Sequence, residues 1–161
     1  MRLTFALCLV AAALGTAMAT FAGAVGNEVA IIVNKANKIE TISAKDLKAI
    51  FSGEKARWPD GSKVQTLATS ATMPEHKSAI KFLYGMSEPE FQKYCIHASF
   101  VGEPQRVPRD SGASGAVVGM VAATPGAVGF VRASAVTPTV KVLKVDGMAP
   151  GDPGYPVTGE P

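Results

Sequence analysis

The stretch KVQTLATSATMPEHKSAIKFLY, residues 63–84, decides how the rest of the chain is interpreted. Val64 to Leu67 alternates and then becomes apolar, which predicts a strand. Small and hydroxylic residues follow from Ala68 to Met73, and an apolar stripe with helical spacing comes next. Thr72 and Glu75 have the spacing of a capping box. The pattern predicts a strand that passes through a Ser/Thr turn into the start of a helix.

A junction of this kind is a candidate anion site. The first helical turn has free N–H groups and a partial positive charge, and nearby hydroxyls add hydrogen-bond donors. The candidate ligand-binding residues are therefore Thr69, Ser70, Ala71 and Thr72, together with the backbone N–H groups of the turn. The sequence contains no nucleophile–base set, no paired carboxylates at a loop and no metal-ligand cluster. We therefore predict neither an enzyme, nor a metal site, nor a cofactor.

The first 24 residues have the features of a signal peptide. A short positive start, Met1-Arg2, precedes an apolar segment, Leu3 to Leu14, that is too short to span a bilayer. Two small-x-small patterns follow, at residues 17–19 and 22–24, and we favour cleavage after Ala24. The prediction is a periplasmic or secreted protein without a membrane anchor.

Composition narrows the class of protein further. Removing residues 1–24 from the 161 leaves 137, the size of one ordinary domain. Basic residues are scattered, and the net charge of the whole chain is only +3, so no nucleic-acid surface is predicted. Cys95 is the one cysteine outside the signal segment, which excludes an intrachain disulfide. It is either a small core residue or a thiol that pairs between chains.

The remaining pattern predicts an α/β sandwich with a partly parallel, mixed sheet. The domain extends over residues 25–145 and begins with a continuous β-branched run, Val29 to Val33, typical of a strand covered on both faces. Further helices start near Ser43 and Ser87, and His76 is expected on the surface. A Gly/Ser segment, Asp110 to Gly115, is either an oxyanion loop or the capping turn of the next helix. Residues 146–161, rich in proline and glycine, are predicted to form an extended tail that fills no core.

Four segments of the chain resemble phosphate-binding proteins of bacterial ABC transporters. They are Ile32–Lys35, Ile42–Gly53, Arg57–Gly61 and Val121–Val131, in the order and with the rough spacing found in that family. The resemblance covers about residues 28–145. It implies a type II periplasmic-binding-protein-like fold, in a short form with room for a single lobe.

The resemblance also implies a ligand and a partner. Proteins of this family bind phosphate through an arginine followed by Asp-Gly-Ser-Gly-Thr at a strand-to-helix junction. This motif falls on Leu67–Thr72, where Ser70 and Thr72 stand for the hydroxyl donors and the arginine and the aspartate have no counterpart. Inorganic phosphate or a similar oxyanion is the implied ligand, and a transporter permease or another periplasmic protein the implied partner. The alternative is a structural or partner-docking protein that keeps the fold without tight solute binding.

Overall fold

The computed structural model describes residues 28–158, so the signal-peptide prediction lies outside the described residues. Within this range, no helix has the length and apolar character needed to cross a membrane. The α-helices are α1 (Ala44–Phe51), α2 (Pro74–Tyr84), α3 (Glu88–Phe100) and α4 (Ser114–Ala123). The strands are β1 (Val29–Asn34), β2 (Thr41–Ile42), β3 (Gln65–Ala68), β4 (Arg109–Asp110), β5 (Ala127–Arg132), β6 (Val140–Val142) and β7 (Lys144–Val145).

Five strands form one mixed sheet in the order β4-β3-β5-β1-β6. Strand β3 runs parallel to β4 and to β5, whereas β1 runs antiparallel to β5 and β6. Strands β2 and β7 form a separate parallel pair. The predicted α/β fold with a partly parallel sheet is therefore confirmed. The β-branched run in β1 is buried along its whole length, as predicted, although both of its neighbours run antiparallel to it.

Helices cover both faces of the sheet because alternate residues of each strand point to opposite sides. Ile31 and Val33 of β1 belong to the core formed with α1, α2 and α3. Ala30 and Ile32, one position out of step, belong to a second core formed with α4. The central strands are thus buried between two helical layers.

The predicted helix starts near Ser43 and Ser87 are confirmed. Ser43 accepts a hydrogen bond from the Asp46 amide, and Ser87 forms the reciprocal box with Glu90. The predicted Thr72–Glu75 box is wrong, because α2 begins after Met73 and has no side-chain cap. The Glu75 carboxylate, which would have completed that box, contacts Ser114 and Arg132 instead.

Trp58 is 4% exposed and packs beside the start of β3. Its indole N–H donates to the Gly126 carbonyl at 2.9 Å, and the same carbonyl accepts from the Gln65 amide at 3.2 Å. Gly126 has a φ of +83°, and a Cβ there would lie 2.3 Å from the carbonyl oxygen of Lys63. Glycine is therefore required at this position for β3 and β5 to start side by side.

Residues after Asp146 contribute to the core, contrary to the sequence-based expectation. Tyr155 and Val157 are 3% and 0% exposed and join the cluster on the α1–α3 face. The Tyr155 hydroxyl donates to the Val29 carbonyl at 2.8 Å. Tyr155 and Val157 thus pack this Pro/Gly-rich segment against the core beside the start of β1, which the composition averaged over the segment does not show.

Candidate functional site

The ends of β3 and β4 place the predicted anion turn and the Gly/Ser segment at the same edge of the sheet. Parallel neighbouring strands end on the same side, so the turn that follows β3 lies beside the loop that follows β4. The Ser70 amide donates to the Gly112 carbonyl at 2.8 Å, and the Ser111 amide donates to the Ala68 carbonyl at 2.9 Å. Each loop leads directly into a helix, α2 or α4. The edge therefore combines two helix N-termini with two loops of small residues.

The four predicted ligand-binding residues differ in their access to solvent. Thr69 is fully buried, Ser70 is half-buried, and Ala71 and Thr72 are exposed. The Thr69 hydroxyl is buried without a hydrogen-bond partner in the described chain. We therefore separate Thr69, which faces the protein, from the other three residues, which an external ligand can reach.

Part of the turn is already hydrogen-bonded within the protein. The Ser70 amide is bonded to Gly112, and the Met73 amide donates to the Ser70 carbonyl at 2.9 Å. Between them, the amides of Ala71 and Thr72 have no hydrogen-bond partner within residues 28–158, and neither do the hydroxyls of Ser70 and Thr72. These groups form a small set of exposed donors close to the start of α2.

A buried carboxylate, which the sequence did not predict at this site, lies behind the turn. Glu75, in the first turn of α2, is 3% exposed. The Ser114 hydroxyl at the start of α4 donates to one carboxylate oxygen at 2.5 Å, and the Arg132 guanidinium lies 3.4 Å from the other. The three residues come from α2, α4 and β5, so they join both helical layers over the end of the sheet. Arg132 ends a strand parallel to β3, and this position could have indicated its place at this edge.

His76 is a second polar residue that the structure places differently from the sequence. We predicted a surface residue, but His76 is 5% exposed and lies between the rings of Phe91 and Phe130. Its Nδ1 lies 2.5 Å from the Thr69 carbonyl oxygen. Because that oxygen can only accept, Nδ1–H is the donor. The ring therefore ties the first turn of α2 to the end of β3.

Metal binding and thiol chemistry have few candidate residues in the described part of the chain. No group of three or more His, Cys, Asp or Glu side chains within residues 28–158 is arranged to hold a metal ion. Cys95 is a free, half-buried thiol, and burial raises its pKa, which lowers the thiolate fraction at neutral pH. His97, two residues further along α3, is exposed.

The architecture matches solved phosphate-binding proteins. The chain aligns with a protein from Clostridium perfringens described as a phosphate ABC transporter substrate-binding protein with bound phosphate, at 17% identity and a TM-score of 0.60. An ABC-type phosphate transport receptor from Vibrio cholerae matches at 19% identity with a TM-score of 0.60, and a phosphate-binding protein from Stenotrophomonas maltophilia at 22% with 0.57. These alignments cover 75%, 76% and 77% of this chain.

The same alignments cover only 46%, 48% and 40% of the solved proteins, so the chain spans less than half of their length. No curated protein sequence matches the chain. A family model described as the PBP superfamily domain matches residues 17–152, which is most of the sequence. The fold, the mixed sheet and this match agree, and the chain belongs to the PBP superfamily domain family.

Proposed function

We propose that this protein binds phosphate or a similar oxyanion at the turn from Thr69 to Thr72. The observation that carries the proposal is the set of exposed donors at the start of α2: the amides of Ala71 and Thr72 and the hydroxyls of Ser70 and Thr72. A helix N-terminus favours an anion at this position, and backbone amides supply directed donors. The solved proteins of similar fold include one with bound phosphate, which supports the ligand class.

The affinity of such a site is limited by water. The donors lie on an exposed turn, where solvent and salt screen charge interactions. Behind the turn, the Glu75 carboxylate accepts a hydrogen bond from the Ser114 hydroxyl and pairs with Arg132, so both groups are already engaged within the protein. We therefore expect binding in about the millimolar range, which corresponds to roughly 4 kcal/mol.

The second candidate function is a partner-docking protein that keeps the fold without tight solute binding. Glu75 favours it, because a negative side chain at 3% exposure lies at the helix start where a free anion would be stabilised. An internal carboxylate can satisfy the partial charge of that helix by itself. The partner would be another exported protein or a transporter permease.

Calorimetric titration with inorganic phosphate at low salt distinguishes the two candidates. The first expects measurable heat and a thermal shift, both lost in the double variant Ser70→Ala/Thr72→Ala. A matched control, Thr137→Ala/Thr139→Ala, removes two exposed hydroxyls that hydrogen-bond each other. It should bind phosphate as the parent protein does. Absence of heat and of a thermal shift at millimolar phosphate would leave the docking function.

Export and domain limits belong to the same proposal. We propose that residues 1–24 are a signal peptide cleaved after Ala24 and that residues 25–145 form the binding domain, on which the segment after residue 146 packs through Tyr155 and Val157. We also propose that the protein is a periplasmic or secreted binding protein and not an enzyme. Mass measurement of the exported protein tests the cleavage: a mature chain that starts at Val25 is expected, and a retained Met1 would refute it.

A further inference from the structure

Two buried polar atoms face each other beneath the proposed anion turn. His76 Nε2 and Glu88 Oε2 are 3.6 Å apart, and their side chains are only 6% and 19% exposed. Neither atom has a hydrogen-bond partner in the described part of the chain. Buried polar atoms are nearly always hydrogen-bonded, so this pair requires an explanation.

The protonation of the other ring nitrogen of His76, Nδ1, indicates that the pair lacks a proton. Nδ1 carries a proton, since it donates to the Thr69 carbonyl. A neutral His76 would then present the Nε2 lone pair to a carboxylate oxygen, and two acceptors would face each other in a buried site. Leaving such groups unpaired in a buried site destabilises the fold. One proton placed between Nε2 and Oε2 removes the conflict.

We propose that His76 and Glu88 share this proton as an imidazolium–carboxylate pair, and that the pair is the positioning device of the Thr69–Thr72 turn. The pairing itself does not depend on phosphate binding, whereas its role for the ligand rests on the proposed function. With both nitrogens protonated, the ring is anchored at Thr69 on one side and at Glu88 on the other. Glu88 is the first residue of α3, where the helix dipole favours the ionised carboxylate.

Two other titratable side chains lie close to the pair in the described part of the chain. On α2, the neighbouring Glu75 is already paired with Arg132 of β5. On α3, the titratable neighbour is the Cys95 thiol, whose pKa is raised by burial and further by the charge of Glu88. Phe91 and Phe130 contact the ring with centroid distances of 6.1 and 5.7 Å and carry no charge. The acidic partner of the ring is therefore Glu88.

Imidazole NMR of the full chain tests the proton directly, because the sequence has only two histidines. At pH 7.5 we expect the His76 ring to show both nitrogens protonated, while His97, exposed on α3, serves as the internal reference. Glu88→Gln should convert His76 to the neutral form protonated at Nδ1, since an amide can donate to Nε2. Exposed Glu54→Gln is the matched control and should change nothing. A singly protonated His76 in the parent protein, or an unchanged ring in Glu88→Gln, would overturn the pair.

Positioning is tested on the turn itself. Hydrogen-exchange protection of the Ser70 and Met73 amides should fall in Glu88→Ala, which removes the anchor at Nε2. It should stay near the parent value in Glu88→Gln, whose amide keeps that anchor, and in Glu54→Gln. Phosphate affinity should be lost in parallel with protection. Unchanged protection in Glu88→Ala would refute the positioning role even if the proton is where we place it. If the parent protein does not bind phosphate, the proposed function fails, and the NMR and exchange results still test the pair.

Discussion

Gly129, in the middle of β5, allows α4 to pack directly on the sheet. Replacing this glycine should therefore displace α4 together with the loop that joins β4 to α4. A Cβ at Gly129 would lie 2.8 Å from Val117 Cγ1 and 3.3 Å from the Leu67 carbonyl oxygen. Val117 is fully buried, so its side chain cannot swing away. Overpacking of this kind costs about 1–3 kcal/mol. We expect Gly129→Ala to lower the free energy of unfolding by that amount.

A second substitution shows whether the clash is the cause. Val117→Ala deletes two buried methyl groups, worth about 1.6 kcal/mol at roughly 0.8 kcal/mol each, and a cavity term brings the cost to about 2 kcal/mol. In the double variant, the new methyl at position 129 occupies part of the space that Val117 leaves. The two effects should therefore be non-additive, with the double variant more stable than the sum predicts by about 1 kcal/mol or more.

Urea unfolding followed by circular dichroism measures all three variants. The slope with denaturant should stay constant, so that midpoint shifts report stability. Gly119→Ala in α4 is the matched control, because a Cβ there meets nothing within 4 Å. It should stabilise the protein by about 0.5–1 kcal/mol through helix propensity. If Gly129→Ala behaves like this control, or if the effects at positions 117 and 129 add, the clash with Val117 is not the cause.

Three further predictions concern individual side chains that form hydrogen bonds. Trp58→Phe removes the indole donor to Gly126 and should cost about 1–2 kcal/mol in urea unfolding. Tyr155→Phe loses a buried hydroxyl bond to β1 and should cost about 1 kcal/mol, whereas no change would mean that this bond does not stabilise the fold. Glu90 accepts from the Ser87 amide and hydroxyl, which hold its pKa below the ordinary 4.5. Its stabilisation is present above about pH 4.5 and is lost as the pH falls through the lowered value. Thermal melts from pH 6 to 3 should therefore show a shallower decline in Glu90→Gln, and parallel curves would contradict this.

Local patterns predicted the elements that are specified by local interactions. Ser43 and Ser87 start helices because their hydroxyls satisfy free amides within one turn. Strand β1 was predicted because a continuous β-branched run is buried on both faces. The predicted capping box at Thr72 is wrong because the Glu75 carboxylate contacts Ser114 and Arg132, which are distant in sequence.

The two loops of the candidate site differ in how clearly the sequence predicted them. Its turn, Thr69–Thr72, was visible in the sequence as a strand-to-helix junction with hydroxyl groups. Its second loop was visible only as an ambiguous Gly/Ser segment, since β4 has two residues and no hydrophobic pattern. Pairing of β4 with β3 is what brings Gly112 to Ser70.

The sequence by itself therefore determined the α/β class, the order of the main elements and the location of the exposed donors, because periodicity and capping are short-range. Only the tertiary structure decided which polar groups lie behind those donors. Glu75 and His76 are adjacent in sequence, yet each is buried against a partner on another element, Arg132 for the first and Glu88 for the second. Burial of a charged group depends on contacts across the fold, and a local pattern contains no information about them.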